Sequence, residues 1–315
     1  MRELWKLLLL GALTIGLITV FLTIDAAGNW DYVLPRRARK IGAIALTGAA
    51  IAYSTVMFQT LTNNKILTPS LIGLDSLYLL LHTAIVFVFG STAFTTFGKH
   101  EQFALSVVLM IAFAMLLFLV LFRIQGRYLY FLLLVGIICG TFFSSVSSFL
   151  QMLLDPNNFL LVQDKLFASF NNVNADILLL AAALSIGAVA FFHREFKYLD
   201  VLALGREHAV NIGVPYDRTV RRMLICVAVL VAVSTALVGP ITFLGLIVAN
   251  VAYRVAGTFR HSVIIPAAVL ISVAALVGGQ LVVERVFTFS TSLSVILNFI
   301  GGGYFLILML KENKT

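Results

Sequence analysis

Ten stretches of this sequence run apolar for roughly 18–22 residues with few or no charges, and that property limits the fold more than any other. They fall at about 6–24, 41–61, 71–90, 103–122, 128–152, 175–192, 223–239, 240–256, 263–283 and 292–310. Wound as helices, runs of this length match the hydrocarbon thickness of a bilayer. They are continuous, whereas a β-barrel strand alternates apolar and polar residues over about ten positions. A soluble chain of 315 residues could not bury a composition that is 61% hydrophobic and 11% charged, with a mean hydropathy of +1.03. The expected fold is therefore all-α: a polytopic membrane protein with about ten transmembrane helices, forming one transmembrane domain over residues 1–315.

Charge gives the orientation. With ten spans both termini share a side, and with the N-terminus inside, 15 of the 22 Lys and Arg residues fall in the cytoplasm and 7 outside. The net charge of +8 suits loops beside anionic lipid and argues against a nucleic-acid partner. The two cysteines, Cys139 and Cys226, lie in spans with no Cys-x-x-Cys spacing, so neither a disulfide framework nor a metal site is expected. Small residues at Ala26–Gly28 raise a cleaved signal peptide. The apolar core Leu7–Ile24 is about 18 residues long, beyond the usual signal range, so a retained first helix is expected.

One stretch breaks the apolar pattern for about two dozen residues. Leu199–Arg222 carries Asp200, Arg206, Glu207, His208, Asp217, Arg218, Arg221 and Arg222, yet keeps Leu202, Leu204, Ala209, Ile212 and Val214 at spacings suited to short one-sided helices, punctuated by Gly205 and Gly213. A plain surface loop has no reason to keep such a pattern, whereas a segment pressing an apolar side into a soluble partner does. Outside, four of the seven cations gather in Pro35-Arg36-Arg37-Ala38-Arg39-Lys40. They can anchor the second helix to lipid phosphates, or form a landing site for a soluble protein with acidic knobs. No phosphate-binding Gly-x-x-x-x-Gly-Lys-Ser/Thr loop occurs, and no Ser-His-Asp arrangement or His-Glu-x-x-His pair suggests a hydrolase.

Four segments resemble the FecCD permeases of bacterial iron–siderophore and cobalamin ABC importers, the type II importers. They are Leu34-Pro35-Arg36 with Gly48-Ala49-Ala50-Ile51, Gln59, Asn64, Pro69 and Gly73; Leu202-Ala203-Leu204-Gly205 with Ala209 and Ile212-Gly213-Val214; Gly239-Pro240-Ile241-Thr242-Phe243-Leu244-Gly245-Leu246-Ile247; and Ile300-Gly301-Gly302-Gly303-Tyr304-Phe305. The resemblance implies a type II importer permease fold and a non-catalytic subunit that moves a ferric siderophore by alternating access. It further implies a second permease subunit, two cytoplasmic ATPase subunits that hydrolyse the ATP, and an extracytoplasmic substrate-binding protein. It places the machine in a bacterial cytoplasmic membrane, with no cofactor. Carried over by motif, coupling to the ATPases falls on Leu204, Gly205, Ala209, Ile212 and Gly213. Docking of the binding protein falls on Arg36, with Arg37, Arg39 and Arg285 as neighbours.

The sequence departs from the family pattern in three places. Asn64 is followed by Lys65-Ile66-Leu67-Thr68 before Pro69 where Asn-Pro-Leu-Ala-x-Pro is common, Ala249-Asn250 stands where Pro-His is common, and Gly303 replaces a usual proline. These differences suggest a divergent branch whose two permeases are distinct chains.

The fifth span places Thr141, Ser144, Ser145 and Ser148 at i, i+3, i+4 and i+7 on one face. Such a stripe serves close helix packing or, as the resemblance implies, lines the translocation pathway. His82, Gln280 and Asn298 read as interhelical hydrogen bonds, and Glu284 beside Arg285 as a local ion pair. Every Asp and Glu lies outside the spans or at their edges, which leaves a self-sufficient ion-coupled carrier without a proton or sodium relay. An importer of cobalamin or haem with the same architecture remains the alternative on cargo.

Overall fold

The computed structural model describes residues 2–24, 30–90, 98–123, 129–171, 173–289 and 291–312; Ala26–Gly28 lie outside them. Among the described residues every regular element is helical. The elements are α1 (Arg2–Thr23), α2 (Trp30–Thr62), a 3-10 turn (Pro69–Ile72), α3 (Leu74–Phe89), α4 (Lys99–Arg123), α5 (Leu129–Met152), α6 (Pro156–Leu166) and α7 (Ala175–Phe192). A second 3-10 turn (His193–Tyr198) leads into α8 (Leu199–Leu202), α9 (Arg206–Asn211), α10 (Tyr216–Val238), α11 (Leu244–Ala256), α12 (His261–Arg285) and α13 (Leu293–Glu312).

Each of the ten expected spans has a helix. Seven helical stretches are long and apolar enough to cross a membrane, and the apolar helices of α3, α11 and α13 are shorter. The chain is thus a multi-pass membrane protein. The boundaries move for physical reasons. α2 begins at Trp30, eleven residues before the apolar run, because the basic residues of its first turns are as compatible with helix as the apolar ones that follow. α10 begins at Tyr216 and absorbs the last third of the polar stretch. The amphipathic α6 was not expected; Pro156 at its first turn and Asp155 before it supply the start signal.

α2 is the axis of the bundle and packs most extensively on α10 and α12. α1 and α11 flank α12, α4 and α7 flank α10, and α3 pairs with α5. Small buried residues along α2, among them Ala43, Gly48, Ala50, Ala52 and Ser54, let neighbouring backbones approach closely, which drives helix association where lipid gives no hydrophobic incentive. Near the start of α2, Lys40 pairs with Glu284 of α12 at 2.5 Å, each side chain only 12% exposed. Burial makes that pair costly to break from one side, unlike an exposed bridge. It also corrects the expected Glu284–Arg285 pair: successive helix positions point apart, and Arg285 instead reaches the Ile24 carbonyl at 3.5 Å.

Candidate functional site

The polar stretch after α7 folds as the second 3-10 turn, α8 and α9, and is pinned from beneath. Leu199, Leu202, Ala209 and Val214 are buried, whereas Leu204, Val210 and Ile212 are 60%, 49% and 65% exposed. An apolar row held outward by a buried row is the pattern of a docking element, since nothing among the described residues covers it. Gly205 (φ +94°) and Gly213 (φ +90°) bound α9 in backbone conformations that side-chain-bearing residues rarely adopt. Leu204, Gly205, Ala209, Ile212 and Gly213 therefore sit together on one short element, with Ala209 as its foot.

Three polar ties fix this element to the bundle. The Asp200 Oδ1 accepts from the His261 backbone N–H at 2.8 Å and from its ring Nδ1 at 2.6 Å, and the other ring nitrogen meets the Thr60 hydroxyl at 2.7 Å. Asp200 thus joins α8 to the start of α12 and the C-terminal end of α2. Glu195 accepts from Arg222 at 2.5 Å and from Thr219 at 3.2 Å, and Arg206 lies 3.7 Å from Asp217. Displacement of α8 and α9 therefore pulls on α2, α10 and α12 together.

On the opposite face the four basic residues of α2 divide. Arg37 donates to the carbonyls of Phe21, Leu22 and Ile24, closing the end of α1. Lys40 is taken by Glu284. Arg36 and Arg39 are exposed and, with Lys40 and Lys99, line an open cleft of about 720 Å³ that Asp31 and Asp176 also border. Deeper, a cavity of about 470 Å³ is lined by Tyr78, His82, Lys99 and Lys165 among others. Burial lowers the pKa of Lys165; Asp164 raises it, and Lys99 lowers it again. Of the intramembrane polar groups, His82 is buried 3.4 Å from the Ser106 hydroxyl, and Gln280 bridges Asn171 and Glu284. Asn298 Oδ1 is buried with no partner among the described residues.

Thr141, Ser144, Ser145 and Ser148 are all exposed on α5, together with Phe142 and Phe149. The stripe is therefore not used for packing inside this chain, apart from Ser144 donating to Ser76 at 3.1 Å. The buried hydroxyl of α5 is Ser147, which meets Thr83 at 2.9 Å.

Segments 63–68 and 239–243 are non-helical, and the sequence motifs converge on them. Gly245, at the start of α11, crosses α2 so closely that a Cβ would lie 2.2 Å from Thr55 Oγ1. A Cβ on Gly301 of α13 would lie 2.2 Å from Phe243 Cβ. Two of the departures from the family pattern also touch. Asn250 and Gln59 both donate to the Lys65 carbonyl, at 3.0 and 2.6 Å, and the Lys65 ammonium lies 5.0 Å from the Tyr253 ring centre. An amide at position 250 thus satisfies the loop carbonyl at Lys65. Asp75 needs a correction. In sequence it stands at a span's edge, but α3 starts inside the body of the protein, and Asp75 Oδ1 accepts from Thr235 of α10 at 3.3 Å. The signal was a carboxylate two residues beyond Gly73, where a helix that starts deep needs an N-terminal acceptor.

A model of the FecCD transport family matches residues 4–311. The chain is 58% identical to the petrobactin import system permease protein YclO of Bacillus subtilis (strain 168), over 315 residues that make up the whole of both chains. It is 37% identical over 282 residues to the petrobactin import system permease protein FatC of Bacillus anthracis, covering 89% of this chain and 79% of that one. Among solved structures it superposes on a metal-chelate type ABC transporter in an inward-facing conformation, with a TM-score of 0.85 and 22% identity, covering 98% of this chain and 99% of that one. That last likeness concerns the fold alone.

Proposed function

The chain belongs to the FecCD transport family, and on that premise we propose that it is the permease of an importer for a ferric siderophore of the petrobactin class. It carries no catalytic residue. ATP is hydrolysed on two cytoplasmic partner chains, a second and distinct permease completes the pathway, and an extracytoplasmic binding protein delivers the cargo. The full-length likeness to a petrobactin import permease carries this reading.

The geometry supports a division of labour. The exposed row Leu204, Val210 and Ile212 fits a groove on one of the two ATPases, and Asp200, through His261 and Thr60, passes its displacement to α2 and α12. Arg36 and Arg39 offer charge to acidic knobs of the binding protein, with Arg37 and Arg285 bracing the end of α1 behind them. Thr141, Ser144, Ser145 and Ser148 line the pathway against the second permease, consistent with their exposure on α5. Both termini face the cytoplasm, a reading that the distribution of Lys and Arg supports.

Uptake of radioactive iron loaded on petrobactin, in cells lacking this chain, tests the cargo. Loss of uptake, restored by the intact gene and unaccompanied by loss of ferric hydroxamate uptake, is expected. Unchanged petrobactin uptake refutes the assignment.

A further inference from the structure

The cavity of about 470 Å³ among α3, α4 and α6 is lined by hydrogen-bond donors that find no acceptor among the described residues. Tyr78 of α3 is 4% exposed, lines this cavity, and has no hydrogen-bond partner for its hydroxyl among those residues. The buried His82, one helical turn on, lies with its ring centre 4.4 Å from that of Tyr78 and holds the ring in place.

Two asparagines of the segment between α6 and α7 line the same space. Asn174 Oδ1 accepts from the Asp176 backbone N–H at 2.8 Å, which leaves its amide nitrogen to donate. Asn171 Oδ1 accepts from Gln280 Nε2 at 3.3 Å. That Gln280 nitrogen also donates to Glu284 at 2.8 Å, which fixes the orientation of both amides and leaves the Asn171 nitrogen over as well. Lys99 at the start of α4 and Lys165 in the last turn of α6 bring two ammonium groups to the lining, against the single carboxylate of Asp164. The charge of Lys99 is close enough to weigh against that of Lys165. Unmatched donors and gathered like charges are both costly, and an anion relieves both. The volume is that of a small-molecule site, and Lys99, Asn171 and Asn174 also border the basic cleft of Arg36 and Arg39, which gives the cavity an entrance.

We propose that this cavity binds an oxyanion, a carboxylate or phosphate group, held by Lys99 and Lys165 with the Tyr78 hydroxyl and the Asn171 and Asn174 amides donating to it. Charged oxygen acceptors suit hydroxyl, amide and ammonium donors at once, and such bonds are stronger than neutral ones. Because the donors come from α3, α4, α6 and the segment before α7, the bound anion ties together four parts of the chain that otherwise meet around open space. A soluble acid and a lipid headgroup both carry this chemistry, and the test separates them.

The test is thermal unfolding of the purified full-length chain in detergent micelles at constant ionic strength. The additions are succinate or inorganic phosphate at low millimolar concentration, and phosphatidylglycerol against phosphatidylcholine doped into the micelles. Saturable stabilisation by succinate or phosphate supports the proposal with a soluble ligand, and stabilisation by phosphatidylglycerol alone supports it with a headgroup. Either response should vanish in Lys99→Gln with Lys165→Gln. In Tyr78→Phe, which keeps the ring, half-saturation should need about tenfold more ligand, the effect of one lost hydrogen bond to a charged group. No response of the natural protein to succinate, phosphate or phosphatidylglycerol overturns the proposal, as does a response that survives in the double lysine variant. Should that variant fail to fold, unchanged half-saturation in Tyr78→Phe overturns it instead.

Discussion

Replacing Gly245 by alanine places a methyl group where α11 crosses α2. The new carbon would sit 2.2 Å from Thr55 Oγ1, 3.1 Å from its Cβ and 3.2 Å from its Cγ2. Thr55 is 1% exposed and belongs to the central helix, so it has little freedom to withdraw. Overpacking of this kind costs about 1–3 kcal/mol, and contact with a helix body puts the value toward the upper end. Thr55→Ala removes both the hydroxyl and the methyl, and alone costs about 1 kcal/mol for the lost packing. In the double variant only the 3.1 Å contact persists, which a few tenths of an ångström relieve. The pair should therefore show a compensating interaction of about 1 kcal/mol or more in a double-mutant cycle. Denaturant unfolding of the purified proteins measures the cycle, and siderophore uptake at matched expression should follow the same order. Natural stability in Gly245→Ala, or no recovery when Thr55→Ala is added, would refute the crossing as the cause.

Three further outcomes are expected. Gly205→Val forces a side chain into φ +94° at a strain of about 1–3 kcal/mol, so ATP hydrolysis by the assembled transporter should continue while uptake falls; unimpaired uptake removes α9 from coupling. Asp200→Ala leaves the buried Nδ1 of His261 unpaired at about 1–3 kcal/mol, toward the lower end because Asp200 is 55% exposed. It should lower uptake per ATP hydrolysed, and an unchanged ratio would show that the tie is only structural. Arg36→Glu with Arg39→Glu should weaken receptor binding several-fold at low salt and less at high salt; a salt-independent loss would point to misfolding instead.

The apolar runs announced ten helices because apolar sequence in lipid must satisfy its backbone within the segment, although the apolar helices of α3, α11 and α13 are shorter than the rest. They did not announce where a helix stops inside the protein, since lipid and protein interior are equally apolar. The early start of α3, and with it the contact of Asp75 with Thr235 of α10, left no mark on hydropathy. The basic cluster at 36–40 was legible as a cluster, but sequence order could not separate Arg37, turned back onto α1, from exposed Arg36 and Arg39. The partner of Glu284 lies 244 residues away, a distance no local pattern spans. Leu204, Gly205, Ala209, Ile212 and Gly213 were legible as one element because alternation of buried and exposed apolar positions is itself local; Asp200, which ties that element down, was legible only as a charge.

The arginine bond to α1 bears on how the chain is made. α1 leaves the ribosome first, yet the surface it must settle against, α12, follows about 240 residues later; Thr14 finally meets the Leu270 carbonyl there at 3.2 Å. Until then the outer tip of α1 would hold bare carbonyls in an oily surrounding. Arg37 follows the carbonyls of that tip by 13 to 16 residues and can moor it once the start of α2 is made, so the newborn hairpin waits tethered and capped while the remaining helices are inserted.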